Sequence, residues 1–167
     1  MSDTVEGRTR RYDWADPTQA WSRLDRVDGY AYLAGELRGE VPSLPICATN
    51  RMRLAEVERG RVVFVGQPGE EHANAVGTVQ GGWTTSLLDA AMGSAVHSML
   101  PAGVTYATID IKVNFVRPVL IDAGEMRAIA ETIHVGRRLA TAEGRVEDGE
   151  GRILAHATTT TLILPLD

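Results

Sequence analysis

The sequence predicts an α+β domain in which one long buried helix is wrapped by a curved antiparallel sheet of five to six strands, with a helical extension at the N-terminus. Three observations carry that expectation. Between Gly81 and Leu100, Leu87, Leu88, Ala91, Met92, Ala95 and Val96 recur at helical spacing and nearly every other residue is small. A helix apolar on most sides is a buried one. After it the period drops to two. Ala107, Ile109, Ile111, Val113 and Phe115 are expected on one face of a strand, with Tyr106, Thr108, Asp110, Lys112 and Asn114 on the other. The remaining apolar segments are joined by short glycine-containing connections, as antiparallel neighbours are. A lone helix with so little polar surface needs a curved sheet around it.

Taken in order, residues 1–25 are polar and mixed in charge, and Trp14 and Trp21 predict that this arm docks on something rather than staying free. Tyr30, Leu33 and Leu37 predict a short helix within 26–39, which Pro42 and Pro45 end, leaving Val41–Pro45 as a connector. These features assign 1–45 to an N-terminal extension and 46–167 to the main domain. Strands are expected over Arg51–Val57 and Arg61–Gly66, around the turn Glu58-Arg59-Gly60. Gln67–Gly77, with Pro68, Gly69, Asn74 and Gly77, reads as an irregular loop. The long helix follows, stopped by Pro101 and Gly103. Strands are then expected over Tyr106–Val116, Met126–Val135, Arg138–Glu147 and Ile153–Leu164, the last three joined through Gly136-Arg137 and Asp148–Gly151.

A chain of 167 residues fits one domain with a real core. Its net charge of −5 argues against non-specific nucleic-acid binding. Cys47 is the only cysteine, so no intrachain disulfide forms, which suits a reducing compartment. Met1–Glu6 lack the apolar core of a signal peptide, and no apolar run reaches the roughly 20 residues of a membrane span. The expectation is a soluble cytoplasmic protein that binds neither nucleic acid nor membrane.

Asp89 is the only formally charged residue between Gly81 and Leu100, and the positions three and four away from it are Thr85, Ser86, Met92 and Gly93, none cationic. A carboxylate on a buried helix costs several kcal/mol unless something compensates or uses it. The helix opens with Gly81-Gly82. Glycines there either make a tight turn or let a ligand approach the first N–H groups, which lack intrahelical partners and favour negative charge. The second use is that of an oxyanion hole. Gly81 and Asp89 are eight residues apart, roughly 12 Å at 1.5 Å per residue, so both reach one carbonyl only if two antiparallel helices meet across a dimer axis. The helix face bearing Gly82, Ser86, Asp89 and Gly93 is expected to be left uncovered by the sheet, for a partner to approach. His72, His97, His134 and His156 show no metal-ligand spacing.

The run Glu71-His72-Ala73-Asn74-Ala75-Val76-Gly77-Thr78-Val79-Gln80-Gly81-Gly82, followed by Leu87-Leu88-Asp89-Ala90-Ala91-Met92-Gly93, closely resembles the signature of hot-dog thioesterases of the phenylacetate-pathway, PaaI-like, family. Lys112–Pro118 and Gly136-Arg137-Arg138 resemble it too, so the resemblance covers about residues 46–164. It implies a hot-dog fold and hydrolysis of an acyl-coenzyme A to a free acid and coenzyme A. No metal or cofactor is implied, and the site is shared between two subunits of a homodimer or homotetramer, whose arrangement the resemblance leaves open. By that pattern Asp89 is the nucleophile or the general base and the Gly81 N–H polarises the thioester carbonyl. Asn74 positions substrate or water, and Thr108 places a hydroxyl near the site. Gly82 and Ser86 lie along the substrate. Arg117, Arg137 and Arg138 either meet the phosphates of coenzyme A or cap solvated strand ends.

One departure stands out: the family usually has His-Gly-Gly at the helix start, where this chain has Gln80-Gly81-Gly82. Glutamine still hydrogen-bonds but takes up no proton near neutral pH. It is the feature that favours a non-catalytic acyl-ligand-binding protein as the competing reading. A dehydratase, which pairs a histidine with an acid, fits less well. Trp83 serves either as a wall of an acyl pocket or as a core residue.

Overall fold

The computed structural model describes residues 7–166. Met1–Glu6, on which the expectation of a missing signal-peptide core rests, and Asp167 lie outside the described residues. The elements in order are α1 (Thr18–Trp21), α2 (Gly29–Leu37), α3 (Pro45–Asn50), β1 (Met52–Glu58), β2 (Arg61–Gly66), a single 3-10 turn (Glu70–His72), α4 (Gly81–His97), β3 (Val104–Phe115), β4 (Met126–Val135), β5 (Leu139–Glu147) and β6 (Ile153–Pro165). The six strands form one antiparallel sheet in the order β1-β2-β4-β5-β6-β3. Helix α4 packs against every strand of it. This is the wrapped-helix, hot-dog architecture that the sequence predicts.

The inward face of the sheet explains how closely the helix sits. Ala128, Ala130, Ala140, Ala142, Ala155 and Ala157 are all buried beneath α4. At Gly144 even a methyl group would stand 3.0 Å from Met92 Cγ. Leu87, Leu88, Met92 and Val96 from the helix and Val62, Phe64, Met126 and Val146 from the sheet fill the remaining space without measurable exposure beyond 1%. Such small-against-large packing gives interior density with rotamers undistorted.

Several local expectations are corrected. Helix α2 ends at Leu37 because Gly39 adopts φ +74°, with Gly39 N–H donating to Glu36 O (3.0 Å) and Glu40 N–H to Gly35 O (2.9 Å). That is the double bond of a glycine-terminated helix, so the prolines are not needed to stop it. Pro45 instead opens α3 as its first residue, the position where a missing N–H costs nothing. The N-terminal arm does dock, but not through its tryptophans, which are about 60% exposed. Arg10 anchors it by donating to the carbonyls of Ala48 (2.6 Å) and Thr49 (2.7 Å) at the end of α3. Ala20 is buried in the core. Helix α4 closes three residues early, in a tightened turn where Leu100 N–H reaches His97 O (2.9 Å).

The alternation expected along β3 is also broken. Thr108 pairs with Thr161 and Asp110 with Thr160, which leaves Ile109 as an extra, bulged residue. The inward parity switches there: Val104 and Tyr106 pack on the core before the bulge, and Ile111 and Val113 after it. Ile109 is 58% exposed.

Helix α2 is held against the end of α4. Asp28 caps it by accepting from Ala31 N–H (2.8 Å), and Gly29 N–H donates to Leu100 O (3.0 Å). At Gly29 a Cβ would fall 1.8 Å from the His97 carbonyl oxygen and 2.6 Å from its carbon. Backbone cannot yield as a side chain would. Gly29→Ala is therefore expected to cost about 3 kcal/mol or more, the upper range for overpacking. A urea melt with an unchanged midpoint would show that α2 can lift away at no cost.

Candidate active site

The loop before α4 is built by Asn74 and His72. Asn74 Oδ1 accepts from the N–H groups of Val76 (3.0 Å) and Thr78 (3.1 Å), while its Nδ2 donates to Thr78 Oγ1 (2.8 Å). The amide thus spends most of its bonding capacity on the turn and keeps one N–H free of it. His72 Nδ1 accepts from Gly69 N–H (3.0 Å), its carbonyl accepts from Gln80 N–H (2.8 Å), and its ring packs at a tilt of 49° against Trp83, 5.9 Å between centroids. Burial holds the His72 imidazole below its ordinary pKa. Trp83 is itself buried, its indole N–H donating to Asn50 O (2.8 Å). Of the two roles open to Trp83, the structure assigns the core.

Gln80 precedes the helix in extended conformation (φ −60°, ψ 134°), and its side chain makes no cap hydrogen bond. The helix N-terminus is therefore not closed by its own N-cap, and glycine follows at Gly81 and Gly82. Gly81 has a steric reason to be glycine: a Cβ would meet the Phe115 ring at 2.9 Å. Ser86 and Thr85 turn their hydroxyls back to the carbonyls of Gly82 and Gly81, both at 2.9 Å.

Asp89 lies half-buried on α4, and Thr108 Oγ1 donates to its Oδ1 at 3.0 Å. Among the described residues no cation pairs with it. The bulge at Ile109 accounts for that contact, since Thr108 is the last inward residue before the parity switches. The face expected to be uncovered is confined to the first half of the helix. Gly81, Gly82, Thr85, Ser86, Asp89 and Ala90 are at least partly exposed, whereas 91–98 are all buried. Gly93 does not face outward but lies under Tyr106, whose hydroxyl would stand 2.4 Å from a Cβ there. Burial, and then the neighbouring Asp89 carboxylate, push the Tyr106 phenol well above its ordinary pKa, so it stays protonated.

The three arginines are not brought together. Arg117 lies beside Gly81 and Phe115 on a hollow of about 350 Å³, its guanidinium donating to the Ile153 carbonyl. Arg137 borders a second hollow with Met99, Leu100 and Pro101, past the opposite end of α4, and Arg138 follows it in the β4–β5 hairpin. The helix between them has 17 residues, roughly 25 Å at 1.5 Å per residue. A single chain cannot place all three on one ligand. Cys47 is buried and its thiol is pushed up to about 12 by that burial and by Glu36, so it is no nucleophile near neutral pH. Among the described residues no three of His, Cys, Asp and Glu converge as a metal site.

Sequence reasoning missed two residues of this seam, Tyr106 and Phe115. Each is an aromatic ring on β3 resting on a helix glycine, Gly93 and Gly81 respectively. The signal was the pairing of two glycines in a helix with aromatic residues in the following strand. It becomes readable only once strand and helix are known to run alongside one another.

Comparison with known proteins supports the same architecture. Residues 76–155 match the model of the thioesterase superfamily. A phenylacetic acid degradation-related protein of Ralstonia eutropha JMP134 is 28% identical, with a TM-score of 0.72 over 78% of this chain and 98% of its own. A thioesterase family protein of Silicibacter pomeroyi is 26% identical, with a TM-score of 0.71 over 80% and 98%. The phenylacetic acid degradation protein PaaI of Thermus thermophilus is 25% identical, with a TM-score of 0.64 over 71% and 98%. A curated Halobacterium salinarum protein that carries an esterase name is 39% identical over 74 residues, which is 43% of this chain and 47% of that relative, so the match spans about half of its length. The chain is a hot-dog protein that carries the thioesterase-superfamily pattern over residues 76–155 and shares its fold with PaaI-related thioesterases.

Proposed function

We propose that the protein hydrolyses an acyl-coenzyme A thioester at a site shared by two copies of the chain, without a cofactor of its own. The observation that carries this reading is Asp89: half-buried on the open half of α4, oriented by Thr108, and paired with no cation among the described residues. A carboxylate so placed keeps a lone pair for a water or a carbonyl carbon. As general base it removes a proton from water while the hydroxyl adds to the thioester carbon. The oxyanion that forms is held by the Gly81 N–H of the partner helix. Collapse of the tetrahedral species expels the coenzyme A thiolate, which takes up the proton, and leaves the free acid. As nucleophile the carboxylate would instead add to the thioester carbon and expel the coenzyme A thiolate, leaving a mixed anhydride that water then opens to the free acid and the Asp89 carboxylate.

The dimer is supported by β3, a twelve-residue strand at the edge of the sheet with Ile109 and Phe115 exposed. Long exposed edges of this kind pair with another chain unless protected. Antiparallel pairing would set Gly81 of one copy near Asp89 of the other. It would also bring the Arg137-Arg138 hairpin of one copy towards the Arg117 end of its partner. Asn74 and Gln80 would then border the thioester, and Gly82 and Ser86 would lie along it. We assign residues 1–45 to an N-terminal extension and 46–167 to the thioesterase domain. No described helix is long and apolar enough to cross a membrane, and we propose a cytoplasmic location.

Gln80 supports a second reading, an acyl-ligand-binding protein without turnover, because its side chain neither caps the helix nor carries a proton at neutral pH. Thiol release from short, medium, long and aromatic acyl-coenzyme A substrates separates the two. Release that disappears in Asp89→Asn supports the hydrolase. Retained binding with no release from any of them, or release acquired only in Gln80→His, supports the binding protein.

A further inference from the structure

The seam between α4 and β3 is closed at both ends by an aromatic ring seated on a glycine. At one end Phe115 covers Gly81, where a Cβ would be 2.9 Å from the ring. At the other, Tyr106 covers Gly93, where a Cβ would be 2.4–2.8 Å from the hydroxyl and ring. Asp89 lies between them, one helical turn before Gly93 and bonded to Thr108, the inward neighbour of Tyr106 on the strand. Exposure along the helix stops at Ala90, and residues 91–98 are buried. Behind Tyr106 the seam is filled by the His97 ring (5.9 Å between centroids) and then by Tyr32 (5.5 Å from His97).

We infer that Tyr106 is the stop of the acyl pocket: it ends the space beside Asp89 and so sets the length of acyl group that the site accepts. This rests on the thioester reading above and deepens it. A group held with its carbonyl carbon at Asp89 can extend along the seam only as far as the tyrosine ring. Chains beyond that length must displace a ring that is itself packed on His97 and on the helix backbone. The ring does this by its bulk; its hydroxyl is not needed.

The test compares wild type, Tyr106→Phe, Tyr106→Leu and Tyr106→Ala across a straight-chain acyl-coenzyme A series of increasing length. Two readouts are taken: kcat/KM for thiol release, and equilibrium binding of the non-hydrolysable thioether analogues of the same series. Tyr106→Phe should keep the wild-type length ranking. Tyr106→Ala should move the optimum to longer chains, with a gain on the order of tenfold for the first chain that wild type excludes. Tyr106→Leu keeps more of the packing, supplies the same comparison if the alanine variant is unstable, and should move the optimum in the same direction. If wild type releases no thiol but the binding profiles shift as described, the hydrolase reading fails while the role of Tyr106 stands. Length profiles unchanged by both Leu and Ala, in a protein that still melts cooperatively, overturn the proposal. So does a wild type that binds no analogue at all.

Discussion

Asp89→Asn is expected to lower kcat/KM for thioester hydrolysis by a factor on the order of a hundred to ten thousand, the range that a lost general base or nucleophile produces. The substitution is nearly isosteric, and an amide oxygen can still accept the Thr108 hydroxyl bond that now measures 3.0 Å to Oδ1. The fold therefore has no reason to change, and binding of a thioether analogue should stay within a few-fold of wild type. Only the ability to take a proton or attack a carbon is removed. Thr108→Val provides the graded companion. It deletes the hydroxyl, leaves the carboxylate, and should lower kcat more than it raises KM, because it frees Asp89 to rotate without removing it. Asp89→Asn activity within tenfold of wild type would place the chemistry elsewhere and leave Thr108 as a structural partner.

The second large effect concerns stability in acid. His97, at the end of α4, is 8% exposed and packed between the rings of Tyr32 and Tyr106. Burial pushes its pKa down to about 4, against a smaller opposing pull from Asp28. The unfolded chain binds this proton near pH 6.5 and the folded chain only near 4, so the unfolded state holds more protons across that interval. Stability is therefore complete above about pH 6.5 and falls as the pH drops towards 4, by about 3 kcal/mol at 1.36 kcal/mol per pKa unit. Glu36 acts in the opposite sense: burial raises its carboxyl pKa, so protonation favours the folded state. The lowered carboxylates Asp28 and Asp148 lose their contributions only at more acid pH. Urea midpoints measured between pH 7 and 4 should fall steadily in wild type, and the slope should flatten in His97→Gln. An equal slope in the variant would assign the acid sensitivity to other groups.

The strand boundaries show what a single sequence can carry. Arg61–Gly66 and Met126–Val135 are expected and observed with the same limits, and the other four strands differ by no more than two residues at either end. Hydrophobic period and turn glycines are local properties, and they survive because the sheet they build is one that the same pattern favours. The two short helices were not legible for the reason that they are short. α1 has four residues and α3 six, too few for a periodic signal, and each is held by tertiary contacts: Ala20 in the core, and Arg10 on the carbonyls that end α3.

By itself the sequence determined the layered architecture, the buried helix, the glycine start and the single carboxylate on that helix, because each follows from spacing along the chain. The tertiary structure decided what lies against them. A one-residue bulge at Ile109 lets Thr108, before it, meet Asp89 while Ile111 and Val113, after it, still face the core, so the two faces of β3 exchange there. Tyr106 folds over Gly93, leaving only the first half of α4 open. The length of α4 separates Arg117 from Arg137 and Arg138 within one chain. For the strand the physical reason is its period. Side chains alternate every two residues, so one inserted residue reverses every later direction. That insertion is made by pairing with β6, about fifty residues away, and carries no local mark in composition or period.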